Sequence, residues 1–342
     1  MTRNYSYDCS INDHHEVNGM KVVWLENEYL KIGILIGRGA DIFEFIYKPV
    51  DLNFLLRIPG EIRNPRIDFA QKRDTNSQME DYYYGGWQDC LPNSAPFVYR
   101  GASYGQHGGV WGVPWHYEIV NNTKESVSIR CWVRPMRTPL LIEKTLILAS
   151  GSKELTIQSK VKNEGNTFFD FIWGQHIAFG LPFLKEGAKI NTNASSMISE
   201  PNMPGARRFK PGINSIWPEG IDVDGCKIDA SRIEKAGKNP YSELTYLTGF
   251  IDGSYSILNP TTNLGFGLTW DASLFKYLWM WEERNGIQDS PWWGRVYTVA
   301  LEPWTAKWTS NPKEGIERGD WERLEASQSI DTTIKAFSID NK

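Results

Sequence analysis

The chain has 342 residues, 41% of them hydrophobic and 23% charged, with a formal net charge of −4. Such a composition can bury a sizeable core and excludes wholesale disorder. The slightly acidic, mixed balance excludes nucleic acid as the main partner, because phosphate binding needs a basic face. No apolar run approaches the ~20 residues of a membrane span.

Residues 1–19 are polar, include His14 and His15, and lack the apolar stretch of a secretory leader. They are expected to form a polar N-terminal extension with solvated histidines. From Lys21 the dominant period is two: KVVWLENE (21–28), YLKIGILIG (29–37) and ADIFEFIYK (40–48), punctuated by Gly37 and Gly39. Alternation of this kind predicts half-buried strands. A short helix is predicted at Gln78–Tyr84. Val127, Ile129, Cys131 and Val133 then alternate with polar neighbours, as do Leu155, Ile157, Ser159 and Val161. Residues 185–245 are richer in Gly, Pro, Asn and Ser and read as a long irregular excursion. Trp321–Ala326 could form a short helix, and Ile330, Thr332 and Ile334 end the chain as another strand. Turn signals such as Ser150-Gly151-Ser152, Asp252-Gly253 and Asn259-Pro260 separate the runs.

No βαβ unit repeats, so a doubly wound parallel sheet is disfavoured. The expected fold is all-β: a large sandwich of antiparallel sheets, one domain over 1–342. Cys9, Cys90, Cys131 and Cys226 stand far apart with no CxxC, so neither a disulfide framework nor a cysteine zinc site is expected. A reducing cytoplasm fits that usage.

The aromatic content points further. The chain holds 15 Trp, 15 Tyr and 15 Phe, and Trp is well above its usual share of roughly 1–1.5%. Such residues fill cores, and they also offer flat faces on which sugar rings stack.

Several positions could carry chemistry. His107 lies in SYGQHGGVWG (103–112), where glycines leave the ring uncrowded; a plain turn histidine is the competing reading. His116 starts a strand and reads as structural. Gln175-His176 interrupts the apolar FIWGQHIAFG (171–180), and buried polar groups need partners or a task. A satisfied core histidine is the alternative there. Trp279 and Trp281 alternate after Trp270-Asp271 and so share a strand face, and Pro291-Trp292-Trp293-Gly294-Arg295 follows. These tryptophans could be a sugar platform or core. Glu302, in YTVALEPWT (297–305), is a candidate for a carboxylate with a raised pKa, unless it points to water at a strand end. Walker A, GxGxxG and HExxH patterns are absent, and no close histidine pair suggests a metal. Arg207-Arg208 and Arg63/Arg66 read as solvated faces rather than phosphate sites.

In chain order these segments resemble the galactose mutarotase-like family, the aldose 1-epimerases and their relatives. The matching pieces are His107-Gly108-Gly109, the strand histidine His176, the run from Trp270 to Trp281, and Leu301-Glu302-Pro303-Trp304-Thr305. Gly85-Gly86-Trp87-Gln88-Asp89 through Pro92-Asn93 is similar to the family's sugar-facing loop. The resemblance covers about residues 20–340, and the early Asn-Arg segment of true galactose mutarotases is missing. It implies a β-supersandwich with a cleft on one sheet and catalysis by Glu302 as base, His176 as acid and His107 as second histidine. It further implies that Asp271, Trp279, Trp281, Gln88, Asp89 and Arg295 bind a small sugar. The implied activity is interconversion of the anomers of a free sugar by acid–base ring opening and reclosure, with no metal, nucleotide or other cofactor. A non-catalytic carbohydrate-binding protein on the same fold, a glycoside hydrolase or lyase, and a hexose-phosphate mutarotase are the alternatives. Neither the sugar nor the choice between monomer and homodimer is specified.

Overall fold

The computed structural model describes residues 8–68, 78–234, 240–309 and 311–341. Its framework is two large antiparallel sheets. The larger runs edge to edge through Ser10–Val17, Met20–Glu26, Leu30–Leu35, Asp41–Tyr47, Trp87–Cys90, Gly174–Phe179, Tyr297–Trp304, Tyr277–Arg284, Tyr241–Thr248, Ser196–Ser199 and Asn214–Ile216. The smaller runs Lys189–Thr192, Gly253–Leu258, Leu264–Trp270, Ser329–Asp340, Glu154–Asn163, Leu140–Ala149, Ser126–Val133 and His116–Asn122.

Period-two alternation explains why these segments pair. One face of each sheet packs into a shared core that includes Phe45, Trp87, Ile177, Phe179, Leu268, Ile142 and Ile157. The strands expected from Lys21 to Lys48, at Val127–Val133, at Leu155–Val161 and at Ile330–Ile334 are all present. The result is a large antiparallel β-sandwich with few helices.

Three local expectations are corrected. Ser10–Val17 is an edge strand paired with Met20–Glu26 rather than a free extension. Its side chains are largely exposed, so backbone pairing does most to hold it, with Ile11 packed on the core and Asp13 accepting from the Tyr117 hydroxyl, and no hydrophobic alternation marks it. Trp321–Ala326 is not helical. Glu322–Leu324 pairs with Phe169–Phe171, and the helix lies earlier at Pro312–Glu317, where Pro312 opens the first turn. The 185–245 stretch holds short strands at Lys189–Thr192, Ser196–Ser199, Asn214–Ile216, Glu219–Ile221 and Lys227–Asp229. Runs of three or four residues are too brief to display a period.

Arg207 and Arg208 are also not a solvated pair. Arg207 is ion-paired with Glu243, and the Arg208 guanidinium lies 2.8 Å from Glu282, with all four side chains buried. These pairs tie the excursion to the larger sheet. The four cysteines are unpaired. Among the described residues no helix is long and apolar enough to cross a membrane.

Candidate active site

Five neighbouring strands of the larger sheet contribute one transverse row of side chains. Gln88 pairs with His176. On the next strand Gly174 pairs with Trp304 and Ala178 with Ala300, which sets His176 opposite Glu302. Glu302 pairs with Trp279, and Trp279 with Tyr246. Residues directly opposed share a face, so all five project away from the inter-sheet core. Most of this row floors a cavity of about 330 Å3, walled by Tyr83, His107, Trp281, Trp292, Trp308 and Glu200.

His176 Nε2 lies 3.5 Å from Glu302 Oε1. The other carboxyl oxygen, Oε2, accepts a 2.8 Å hydrogen bond from Trp304 Nε1. Burial pushes the Glu302 carboxyl up to about 8, against the lowering effect of the Trp304 N–H. Burial pulls His176 down to about 4, and pulls His107 well below the usual histidine range with help from His176. The neutral forms are favoured throughout: one proton resides on the carboxyl and the imidazoles are uncharged.

His107 arrives from a loop rather than a strand. Its own φ is 59° and that of Gly108 is 73°, both in the left-handed region. A Cβ on Gly108 would stand 1.6 Å from the Leu91 carbonyl oxygen, so only glycine lets the loop press this closely. The His107 N–H donates to the Ser94 carbonyl at 2.7 Å and fixes the approach. The imidazole then sits 5.6 Å from that of His176 between ring centroids, and its Nδ1 has no partner among the described residues.

Aromatic packing sets the remaining walls. Trp279 stacks on Trp304 at 4.2 Å with rings 15° apart. Gly174 makes room for that indole, because a Cβ there would meet the Trp304 ring at 2.2 Å. Trp281 pairs across the strands with the small Ala300, and its ring stands 5.7 Å from His176 and 5.6 Å from Trp292. Tyr83 meets the His176 ring edge-on at 5.2 Å.

Of the nine residues the resemblance assigns to the site, His107, His176, Glu302, Trp279 and Trp281 line this one cavity, together with Trp292 of the tryptophan run. The other four do not. Gln88 is on the same face, but its amide is turned away, donating to the Gly85 carbonyl and to Asp41. Asp89 points into the inter-sheet core, where Lys144 of the smaller sheet is 2.7 Å away and Gln175 and Trp173 donate to its second oxygen. Asp271 is exposed in a turn after Trp270 and caps Ser273. Arg295 borders a neighbouring pocket and donates to the Trp292 carbonyl.

Sequence reasoning missed Tyr83, Glu200 and Trp308. Glu200 accepts hydrogen bonds from the Tyr246 hydroxyl and, at 3.0 Å, from the Asn202 N–H. No motif marks it, since it follows a four-residue strand in the irregular stretch. Trp308 lies just beyond the Leu-Glu-Pro-Trp-Thr run, and Tyr83 just past the short helix, where aromatic content was the sole signal. Among the described residues no group of three or more His, Cys, Asp or Glu is arranged to hold a metal ion.

Comparison with known proteins agrees with this architecture. A candidate aldose 1-epimerase from Klebsiella pneumoniae superposes with a TM-score of 0.75 at 15% identity, over 97% of this chain and 83% of that one. A galactose mutarotase-like protein from Clostridium acetobutylicum gives 0.64 at 15% identity, over 97% and 99%. The galactose mutarotase related enzyme of Lactobacillus acidophilus gives 0.60 at 16% identity, over 94% and 99%. At such identities the likeness establishes the fold, which is galactose mutarotase-like. No curated protein matches the sequence. A family model described as "Domain of unknown function (DUF4432)" matches residues 17–210, more than half of the chain. The chain therefore belongs to the DUF4432 family, built on a galactose mutarotase-like β-sandwich.

Proposed function

We propose that this protein is an aldose mutarotase in which Glu302 and His176 exchange protons with a bound sugar and His107 assists. The observation that carries the reading is the 3.5 Å approach of His176 Nε2 to Glu302 Oε1 in an aromatic cavity. A pyranose hemiacetal opens when its anomeric hydroxyl loses a proton and its ring oxygen gains one. Two groups able to trade a single proton near neutral pH suit that task.

Burial leaves the pair one proton, held on Glu302. The same proton placed on His176 Nε2 gives a carboxylate base beside an imidazolium acid. The carboxylate takes the anomeric hydroxyl proton while the imidazolium protonates the ring oxygen. The C1–O5 bond breaks as the C1 carbonyl forms. After rotation about C1–C2, the O5 hydroxyl re-adds to the other face of the carbonyl. His176 recovers its proton and Glu302 returns the one it took. Atoms and charge balance, with no external reagent. Trp281 offers a partly exposed indole to the ring, whereas Trp279 is already stacked on Trp304.

Convergence of His176 and Glu302 weighs against a purely binding role, which would not need it. Hydrolysis would need a second carboxylate across the bond from Glu302; Asp89 and Asp271 lie outside the cavity, Glu200 in its wall is engaged by the Tyr246 hydroxyl and the Asn202 N–H, and Glu80 stands in the wall shared with the neighbouring pocket. We also treat the chain as one domain, since Ser329–Asp340 sits inside the smaller sheet between Glu154–Asn163 and Leu264–Trp270. Unpaired cysteines support a cytoplasmic location. The test is NMR saturation transfer between anomers across free aldoses, uronates and hexose phosphates. Acceleration of at least one aldose is expected, and none for any sugar would refute the reading.

A further inference from the structure

We propose that the sugar cavity continues into a second saccharide subsite, so that the preferred substrate is the reducing end of a disaccharide or longer saccharide. This inference rests on the mutarotase reading for its chemistry, and on separate observations for its geometry.

Beside the 330 Å3 cavity lies a pocket of about 250 Å3. The two share a wall made of Glu80, Tyr83 and Trp292. Both ring donors in that wall are unsatisfied: the Tyr83 hydroxyl and Trp292 Nε1 are buried with no hydrogen-bond partner among the described residues. A buried donor without an acceptor is costly unless something else supplies one. A chain of sugar oxygens crossing from one pocket to the other would supply acceptors to both.

The far pocket is built for a ring with hydroxyls. Trp293 borders it with 61% of its surface exposed, unusual for an indole. Its φ of 53° is left-handed, which a bulky residue rarely adopts. The loop is nonetheless tied in place. The Trp293 N–H donates to Asp289, that of Gly294 to Ile287, and the Asn285 amide to Gly294, each at 2.8 Å. An indole held open in a fixed loop is a stacking face waiting for a ring. Glu61, Arg63 and Arg295 on the same pocket can accept from and donate to hydroxyls.

Mutarotation demands a free anomeric carbon, so only a reducing-end unit can occupy the catalytic cavity. The attached unit must leave through another carbon, and the proposed course runs past Glu80, Tyr83 and Trp292 toward Trp293.

The experiment compares glucose, maltose, cellobiose, lactose and glucose 6-phosphate with wild-type protein and Trp293→Ala. Anomer exchange is read by NMR saturation transfer, and binding to Glu302→Gln and Glu302→Gln/Trp293→Ala by calorimetry. At least one disaccharide should exceed glucose in kcat/KM, and Trp293→Ala should lower that ratio by about tenfold, mainly through KM. An unchanged ratio would overturn the subsite while leaving the mutarotase reading intact. If no sugar exchanges faster than in buffer, the reading fails. The subsite then stands only if a disaccharide binds Glu302→Gln and loses about tenfold in affinity with Trp293→Ala. A preference for glucose 6-phosphate over every disaccharide would also overturn it, assigning Arg63 and Arg295 to an anion instead.

Discussion

His176 and Glu302 face each other across two adjacent antiparallel strands, with Nε2 and Oε1 3.5 Å apart and both side chains buried at the floor of the cavity. Their titrations are displaced in opposite senses, the carboxyl up to about 8 and the imidazole down to about 4. That relationship has a consequence for stability as well as for proton transfer.

Between the ordinary carboxylate value near 4.5 and about 8, the folded protein keeps a proton on Glu302 that the unfolded chain has released. The unfolded state binds fewer protons, so this site makes stability fall as pH rises, by about 1.4 kcal/mol per pH unit at most. His176 acts in the other direction: its contribution is complete above about 6.5 and is lost as pH falls toward about 4. Glu302→Gln removes the first effect. Urea midpoints measured from pH 5 to 9 should show wild type losing ground against Glu302→Gln up to about pH 8 and then running parallel to it. Curves parallel over the whole range would mean that the carboxyl is not held protonated.

Gly108→Ala tests how His107 is delivered. The added Cβ would collide with the Leu91 carbonyl at 1.6 Å, and the residue would also be strained at φ 73°. We expect a loss of about 2 kcal/mol or more in chemical denaturation, together with a lower kcat at temperatures where the variant is folded. A stable, fully active Gly108→Ala would show that the loop can carry His107 without this contact.

Much of this arrangement was legible in the sequence because it follows from period two. Trp279 and Trp281 reach the same cavity because alternation forces a shared face, and His176 and Glu302 interrupt apolar strands at positions that later oppose each other. Asp89 was misread for a reason no local pattern reveals: its partner Lys144 comes from the other sheet, 55 residues away, and turns an apparent sugar ligand into a buried ion pair. Asp271 follows a tryptophan, as a site aspartate might, yet it serves a solvent-facing turn. Glu200 was invisible because the segment that holds it is tied down by Arg207–Glu243 and Arg208–Glu282 rather than by a hydrophobic period.

Trp281→Leu separates stacking from structure. Trp281 is partly exposed in the cavity, whereas Trp279 is 2% exposed and packed on Trp304, so the first can be truncated with less damage to the fold. Calorimetry should give a sugar Kd raised about tenfold, with kcat changed much less. An unchanged Kd would move the stacking role to Trp308 or Trp292.

The central claim is that Glu302 takes the anomeric proton while His176 gives one to the ring oxygen. Its most direct measurement is the rate of anomer exchange, by NMR saturation transfer or polarimetry, in wild type, Glu302→Gln and His176→Asn at pH 7. Glu302→Gln keeps size and hydrogen bonding, His176→Asn is smaller but keeps a donor and an acceptor, and both remove proton transfer. Each should therefore slow exchange by about 10²–10⁴, with sugar affinity changed far less. Wild-type turnover in Glu302→Gln would contradict the account.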